Sequence, residues 1–370
     1  MAILEGVPAG LALSAADIDA DLARRQRGYG RGGRQKIEKD TVSIEAGVRG
    51  GETLGSPIAL GVENRDFANW AGRMGAAPFD APPEPLTRPR PGHADLAGGL
   101  KYDRHDLRDV LERASARETA ARTAAGAVAR RLLAAVGIDV FAAVSAIGGV
   151  TARMDEPLDT LKSRARASDL ACPDAEAESA MREAILAAAH AGDTLGGAFS
   201  VFATGVMPGL GSHVHWDRKL DGRLAQALMS IHAIKAVGVG IGVEVASRRG
   251  SEVHDPIAYD AAGRRFTRPT NHAGGLEGGV TNGEPVVVHG FMKPIATLKR
   301  ALPSVDVRTK EAFEAAFERS DVCAVPAASV VAEAMVCLVL ADALLEKFGG
   351  DSMTELLRNV STYRAQLAEY

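Results

Sequence analysis

Apolar and polar positions change period several times along this chain of 370 residues, and each change marks an expected element. Ser14-Ala-Ala-Asp17, followed by Ile18 and Leu22, predicts a capped helix ending near the basic run Arg24–Arg34. Strand character over Thr41–Val48 and Pro57–Val62 flanks a turn at Gly50-Gly51. Residues 64 to 92 are Pro-rich and irregular, the pattern of a loop that lies over a site. An Ala-rich periodic stretch from Arg104 to Val136 predicts one long helix, stopped by Gly137. Further along come a strand over Ile138–Ile147, a polar-faced helix over Asp174–Ala191, a strand over Gly196–Val206 and a helix over Leu220–Val237. Val237–Val245 alternates like a strand whose glycines permit close backbone approach. Val286–Phe291 reads as a strand and the last quarter as helical. Ala324–Leu345 is apolar and long enough to span a bilayer, but it carries Glu333 and Asp342 and predicts a buried core helix instead.

Strands and helices come in mixed order, without the βαβα rhythm of a doubly wound sheet, so the expected class is a layered α+β fold. No short repeat and no Ser/Gly-rich linker divides the chain, and residues 1–370 are expected to form one domain. Against 43 Lys and Arg stand 47 Asp and Glu, a balance that offers no reason to expect a nucleic-acid or membrane partner. Cys172, Cys323 and Cys337 lie far apart and form no C-x-x-C, which indicates neither a disulfide framework nor a metal site and suits a reducing, cytoplasmic setting. The first residues carry no signal-peptide pattern.

Several stretches carry candidate chemistry. In Arg88-Pro-Arg-Pro-Gly-His-Ala-Asp95 a histidine sits in a stiff turn flanked by arginines. Arg113 and Arg117, four apart with Ser115 between them, share a face if the segment is helical and would then form an anion receptor. The bland alternative is a solvated, charged helix surface. Arg24–Arg34 interleaves arginine with glycine, which fits an anionic small molecule, a solvated loop or an RGG-like nucleic-acid segment; it lacks the P-loop pattern. His213 and His215 alternate without acidic or cysteine partners at zinc-like spacing. Thr270–Gly279 is glycine-rich and long enough to fold over a planar cofactor. Lys293-Pro-Ile-Ala-Thr297 offers a cation, amides and a hydroxyl, while Arg319-Ser-Asp321 places a carboxylate near the start of the apolar helix.

Taken together these stretches resemble the chorismate synthase family, over essentially the whole chain. Glu112-Arg-Ala-Ser-Ala-Arg-Glu-Thr119 and the alanine-rich residues after it match the family's central signature, and Arg319-Ser-Asp-Val-Cys323 with Val331-Ala-Glu-Ala-Met335 its C-terminal one. Arg90-Pro-Gly-His-Ala-Asp95, Arg24–Arg34, Asn271-His-Ala-Gly-Gly275 and Lys293–Thr297 are further landmarks. The resemblance implies a β-α-β sandwich assembled as a homotetramer. It implies a carbon–oxygen lyase acting on a phosphate: a 1,4-anti elimination that turns 5-enolpyruvylshikimate 3-phosphate into chorismate, the last step of the shikimate pathway. Reduced FMN is required without net redox change, and in bifunctional members NADPH reduces it. By motif match Arg25 and Arg31 would bind substrate or NADPH, and Arg90 and Arg117 would clamp substrate anions. Arg113, Ala114, Ser115, His232, Ala233, Gly278, Lys293, Pro294, Ile295, Ala296, Thr297 and Arg319 would line FMN. His93 would protonate reduced flavin near N1, a task that suits a group titrating near neutrality, and Asp321 would act beside N5. His232 stands where the family often has an amide residue.

One landmark is absent. Family members carry a strand and a Gly-Glu-Ser-His-Gly signature just before the segment aligned with Ile3–Gly10, so this sequence starts about fourteen residues into the family pattern. The expectation is a misassigned start, the alternative an FMN-binding homologue impaired for lack of that histidine. A form extended by that signature is expected to release phosphate roughly 10²–10⁴-fold faster than this one in an assay with reduced FMN, the usual contribution of an acid catalyst. Equal rates would remove that histidine from the account.

Overall fold

The computed structural model describes residues 1–31, 39–315 and 321–370; the Gly32–Arg34 end of the basic run, Arg319 and Ser320 lie outside the described residues. The two most buried strands, Asp139–Ile147 and Gly197–Thr204, pair antiparallel at the centre of a five-stranded sheet. Val150–Thr151 flanks them on one side, and Val286–Met292 then Ile234–Val239 on the other. Period-two geometry sends Val140, Ala142 and Val144 into the main core and Phe141 and Ala143 to the opposite face, where Phe141 stacks on Phe202 at 5.0 Å. A second sheet of three strands runs Ala2–Leu4, Ile58–Val62, Val42–Ala46, again antiparallel. Its Val42, Ile58 and Leu60 pack on Ile18 and Leu22 of the N-terminal helix Ala15–Gln26 and on the alanine face of the central helix Glu118–Ala135. Between the sheets the central helix crosses the apolar helix Val325–Phe348, which is buried along most of its length. Sheet, helices and sheet make a β-α-β sandwich, the α+β class expected.

Gly126 sets the helix crossing. A Cβ there would lie 2.3 Å from Ala334 Cβ and 2.5 Å from its Cα, so only glycine lets the two backbones approach this closely.

A buried charge cluster ties the layers together. Glu333 of the apolar helix is fully buried, yet Arg24, Arg130 and Arg166 reach it from three other helices, and Ala142 N–H of the large sheet donates to it at 2.8 Å. Asp21 shares Arg24 and Arg130, each at 2.8 Å. Burial alone would raise the Glu333 carboxyl; the surrounding arginines overcome that and hold it at about 2.

The N-terminal helix has its Ser14 cap, with Asp17 completing the capping box. Four expectations need correction. The helix expected over Arg104–Val136 is broken: residues 108–111 form one turn, 112–117 a run of tight turns, and the central helix starts at Glu118. Arg113 and Arg117 therefore do not share a helix face. Here Ser115 Oγ accepts the Arg117 N–H at 3.2 Å, and Ala116 C=O accepts the Arg25 side chain at 3.0 Å, so local groups are diverted from helical pairing. The helix at Leu220 stops at Met229, because residues 234–239 pair with the Val286–Met292 strand. That strand in turn ends at Val239 rather than Val245: Gly240 and Gly242 both take a φ of +61°, and a Cβ at Gly240 would meet His272 O at 1.9 Å. Likewise the last quarter is not all helix, since Pro303–Val305 and Ala312–Glu314 form a hairpin ahead of the apolar helix and Met353–Glu369.

Removing Glu333 leaves three guanidinium groups without their common partner. Glu333→Ala is expected to cost about 3–5 kcal/mol, read as a lowered denaturant midpoint. A change within 0.5 kcal/mol would show that water compensates for the cluster.

Candidate active site

The His93 turn is built from its neighbours outward. Pro89 and Pro91 restrict the backbone, and Gly92 turns it at a φ of +76° into the short helix Asp95–Tyr102. The hairpin described above braces this segment: Ser304 Oγ donates to Pro89 O at 2.6 Å, and the Arg88 guanidinium lies 3.6 Å from the centre of the Phe313 ring. Asp95 is fully buried and accepts from His93 Nδ1 at 2.6 Å, from Arg90 Nε at 2.9 Å and from Arg90 N–H at 3.1 Å. Burial would raise the Asp95 carboxyl, but the hydrogen bonds from His93 and Arg90 hold it well below the ordinary carboxylate range. Nδ1 is thus engaged by Asp95, and Arg90 Nη2 lies 3.4 Å from Nε2. Arg90 also donates to Thr297 Oγ1 at 2.9 Å, which ties the turn to the Lys293–Thr297 segment.

Opposite lies an arginine pair on a shared carboxylate. Asp40 accepts Arg25 Nη1 at 2.9 Å and is also bonded to Arg117. Arg25 Nε donates to Thr119 Oγ1 at 3.0 Å, so this guanidinium is fixed at the break before the central helix. Desolvation pushes Arg25 down to about 10, and Arg31 and Arg117 push the same way while Asp40 resists, leaving it charged at neutral pH. Arg31 pairs with Asp321 at 3.3 Å, just ahead of the apolar helix.

These groups wall a single cavity of about 420 Å³, within the range that holds a cofactor or substrate. Arg25, Arg31, Arg90, Arg117 and Lys293 supply cations, with His93 and Asp321 beside them. Ala114, Ser115, His232, Ala233, Ile295, Ala296 and Thr297 add small, apolar and hydrogen-bonding surface. Lys293 Nζ donates to Gly92 O at 2.8 Å, and burial, then the charge of Lys235, lowers its affinity for its proton. The Lys293 N–H bonds to Ala233 O at 2.9 Å; Ala233 holds a φ of +66° and joins the two stretches.

Other expected site residues fall elsewhere. Arg113 is exposed and Pro294 turns outward, so neither lines the cavity. Gly278 sits in a hairpin turn beside His213, and the rest of the Thr270–Gly279 loop also stays off the cavity walls, anchored through Asp255 and close to Gly240. Arg319 lies outside the described residues. Sequence reasoning missed Asp40 and Asp95 as charge partners, for neither stands at a regular spacing from the arginine it holds. Trp70, with Arg108 stacked 4.9 Å from its ring centre, brings the early part of the Pro-rich loop to the cavity.

A cation-walled cavity containing a histidine backed by a buried carboxylate is equipped to bind anionic groups and to exchange a proton. Comparison with known proteins gives the family. The chorismate synthase family model matches residues 1–345. The chorismate synthase of Desulforudis audaxviator is 58% identical over 363 residues, covering 98% of this chain and 93% of its own. That of Geobacter sulfurreducens is 56% identical over 370 residues, covering 98% and 94%. A crystal structure of chorismate synthase superposes with a TM-score of 0.80 at 43% identity, covering 100% of this chain and 94% of its own. The chain belongs to the chorismate synthase family, whose members are lyases of aromatic amino-acid biosynthesis.

Because the folded Asp95 carboxyl lies below its ordinary value near 4, its contribution to stability is complete above about pH 4 and is lost as pH falls toward the folded value. Asp95→Asn is therefore expected to unfold at lower denaturant than the wild type at pH 7, with the gap narrowing below about pH 4. A gap constant across that range would place the stabilisation elsewhere.

Proposed function

We propose that the chain catalyses the 1,4-anti elimination of phosphate from 5-enolpyruvylshikimate 3-phosphate to give chorismate, with reduced FMN bound in the same cavity. The observation that carries this reading is that separate family signatures, hundreds of residues apart, supply one cavity: Arg25, Arg90, His93, Arg117, His232, Lys293 and Asp321 all stand on its wall. A substrate bearing a phosphate and two carboxylates, beside a cofactor bearing another phosphate, calls for such an excess of fixed cations.

FMN fits the residues present. Ile231, Met292 and Ile295 offer apolar surface for a planar ring, while Ser115, Lys293 and Thr297 offer polar groups for its rim and phosphate. When bound, the reduced flavin supplies electron density that eases departure of the phosphate. Arg90 and Arg117 are oriented by Asp95 and Asp40 before any ligand arrives, so binding an anion demands little reorganisation of them. His93, held by Asp95 through Nδ1, would serve the reduced flavin as proton donor, and Asp321 on the same cavity wall would assist removal of the hydrogen. Arg25 and Arg31 extend the cationic wall toward substrate or NADPH. Arg113, Gly278, Pro294 and Arg319 belong to the proposed cofactor contacts by motif match alone. A homotetramer working in the cytoplasm completes the reading.

The test is phosphate release from the substrate with chemically reduced FMN under anaerobic conditions. Wild-type chain is expected to turn over, and His93→Asn to lose roughly 10²–10⁴-fold in kcat. Undiminished turnover by His93→Asn would remove it from the proton path. Stoichiometric FMN binding with no phosphate released would favour the impaired, flavin-binding alternative.

A further inference from the structure

The cavity holds a second histidine whose surroundings differ from those of His93. His232 Nδ1 and Glu118 Oε2 are both buried, both lack a hydrogen-bond partner among the described residues, and lie 3.9 Å apart. A buried carboxylate oxygen and a buried ring nitrogen left unpaired side by side are costly unless some state of the protein joins them. Glu118 is anchored through its other oxygen, which accepts Arg122 Nε at 2.8 Å, and Arg122 donates in turn to Ser230 Oγ at 2.7 Å. The carboxylate is thus fixed at the first turn of the central helix. His232 sits on the short connection after Met229, next to Ala233 with its left-handed backbone. A change of imidazole rotamer of about an ångström closes the gap to hydrogen-bonding distance.

We propose that Glu118 and His232 form a carboxylate–imidazole pair that takes up one proton from solvent when a phosphate-bearing anion enters the cavity. This deepens the reading above and rests on it. Before binding, desolvation makes the imidazole reluctant to hold a proton; Glu118 opposes that, while Arg122, His93 and Arg113 add to it by repulsion. Among the described residues those four groups are the charges that bear most on His232, from the central helix, the turns before it and the His93 turn. An entering dianion offsets the repulsion from its cationic neighbours. The ring then gains a proton on its free nitrogen, no other bond changes, and the imidazolium N–H turns to Glu118 Oε2. The two histidines are thereby distinguished. His93 is bonded to its carboxylate throughout; His232 joins its own only when charge arrives.

Proton uptake on binding reads this directly. FMN, and separately inorganic phosphate, are titrated calorimetrically into the full chain between pH 6 and 8, in buffers of different ionisation enthalpy. The wild type is expected to take up protons with both titrants, and His232→Asn to lose most of that uptake. In Glu118→Gln the uptake maximum is expected at lower pH, because the carboxylate that favoured the imidazolium is gone. Equal uptake by wild type and His232→Asn would overturn the proposal, as would a Glu118→Gln profile that follows the wild type at every pH. His232-dependent uptake with phosphate in a chain that does not bind FMN would support the pair while sinking the flavin reading.

Discussion

A single carboxylate in the middle of the sandwich governs how the layers can meet. Glu333 is buried on an otherwise apolar helix, and a lone charge there would be untenable. It is tolerable only where Arg24, Arg130, Arg166 and the Ala142 amide arrive together, from four separate segments in the first half of the chain. Apolar packing would accept many registers between helix and sheet; this cluster accepts one. Gly126 works in the same direction by letting the central helix seat directly on Ala334, the neighbour of Glu333.

The site inherits its order from that arrangement. Arg24 faces Glu333 while the adjacent Arg25 faces the cavity, so one turn of the N-terminal helix serves both core and site. Around the cavity the cations have steadying partners: Asp40 for Arg25 and Arg117, Asp95 for Arg90, Asp321 for Arg31, the Gly92 carbonyl for Lys293. Such partners hold side chains in place and balance their charge, which is how a cluster of like charges persists without a ligand.

Much of this was legible in the residues. The Ser14 cap, the buried nature of the helix after Ala324 and most strands follow from periodicity and capping chemistry. The mixed order of elements gave the class, and motif resemblance collected most cavity residues although they lie far apart in the chain. What could not be read were the places where tertiary contacts outbid local preference. Residues 112–117 have good helical propensity, but Arg25 claims the Ala116 carbonyl and Ser115 claims the Arg117 amide. Residues 234–237 would extend a helix, yet the open edge of a sheet offers them a ladder. Asp40 and Asp95 escaped notice for a related reason, since their meaning lies in what they touch and not in any spacing.

The break before Glu118 has an electrostatic consequence of its own. By starting the central helix at the cavity wall, it directs the amide end of an 18-residue helix toward the space occupied by Ser115, Arg117 and Thr119. Aligned peptide dipoles place roughly half a positive charge at such an end. Unlike a histidine or a lysine, that charge belongs to the backbone; it has no proton to lose, and it persists unchanged across the pH range in which the side chains around it titrate.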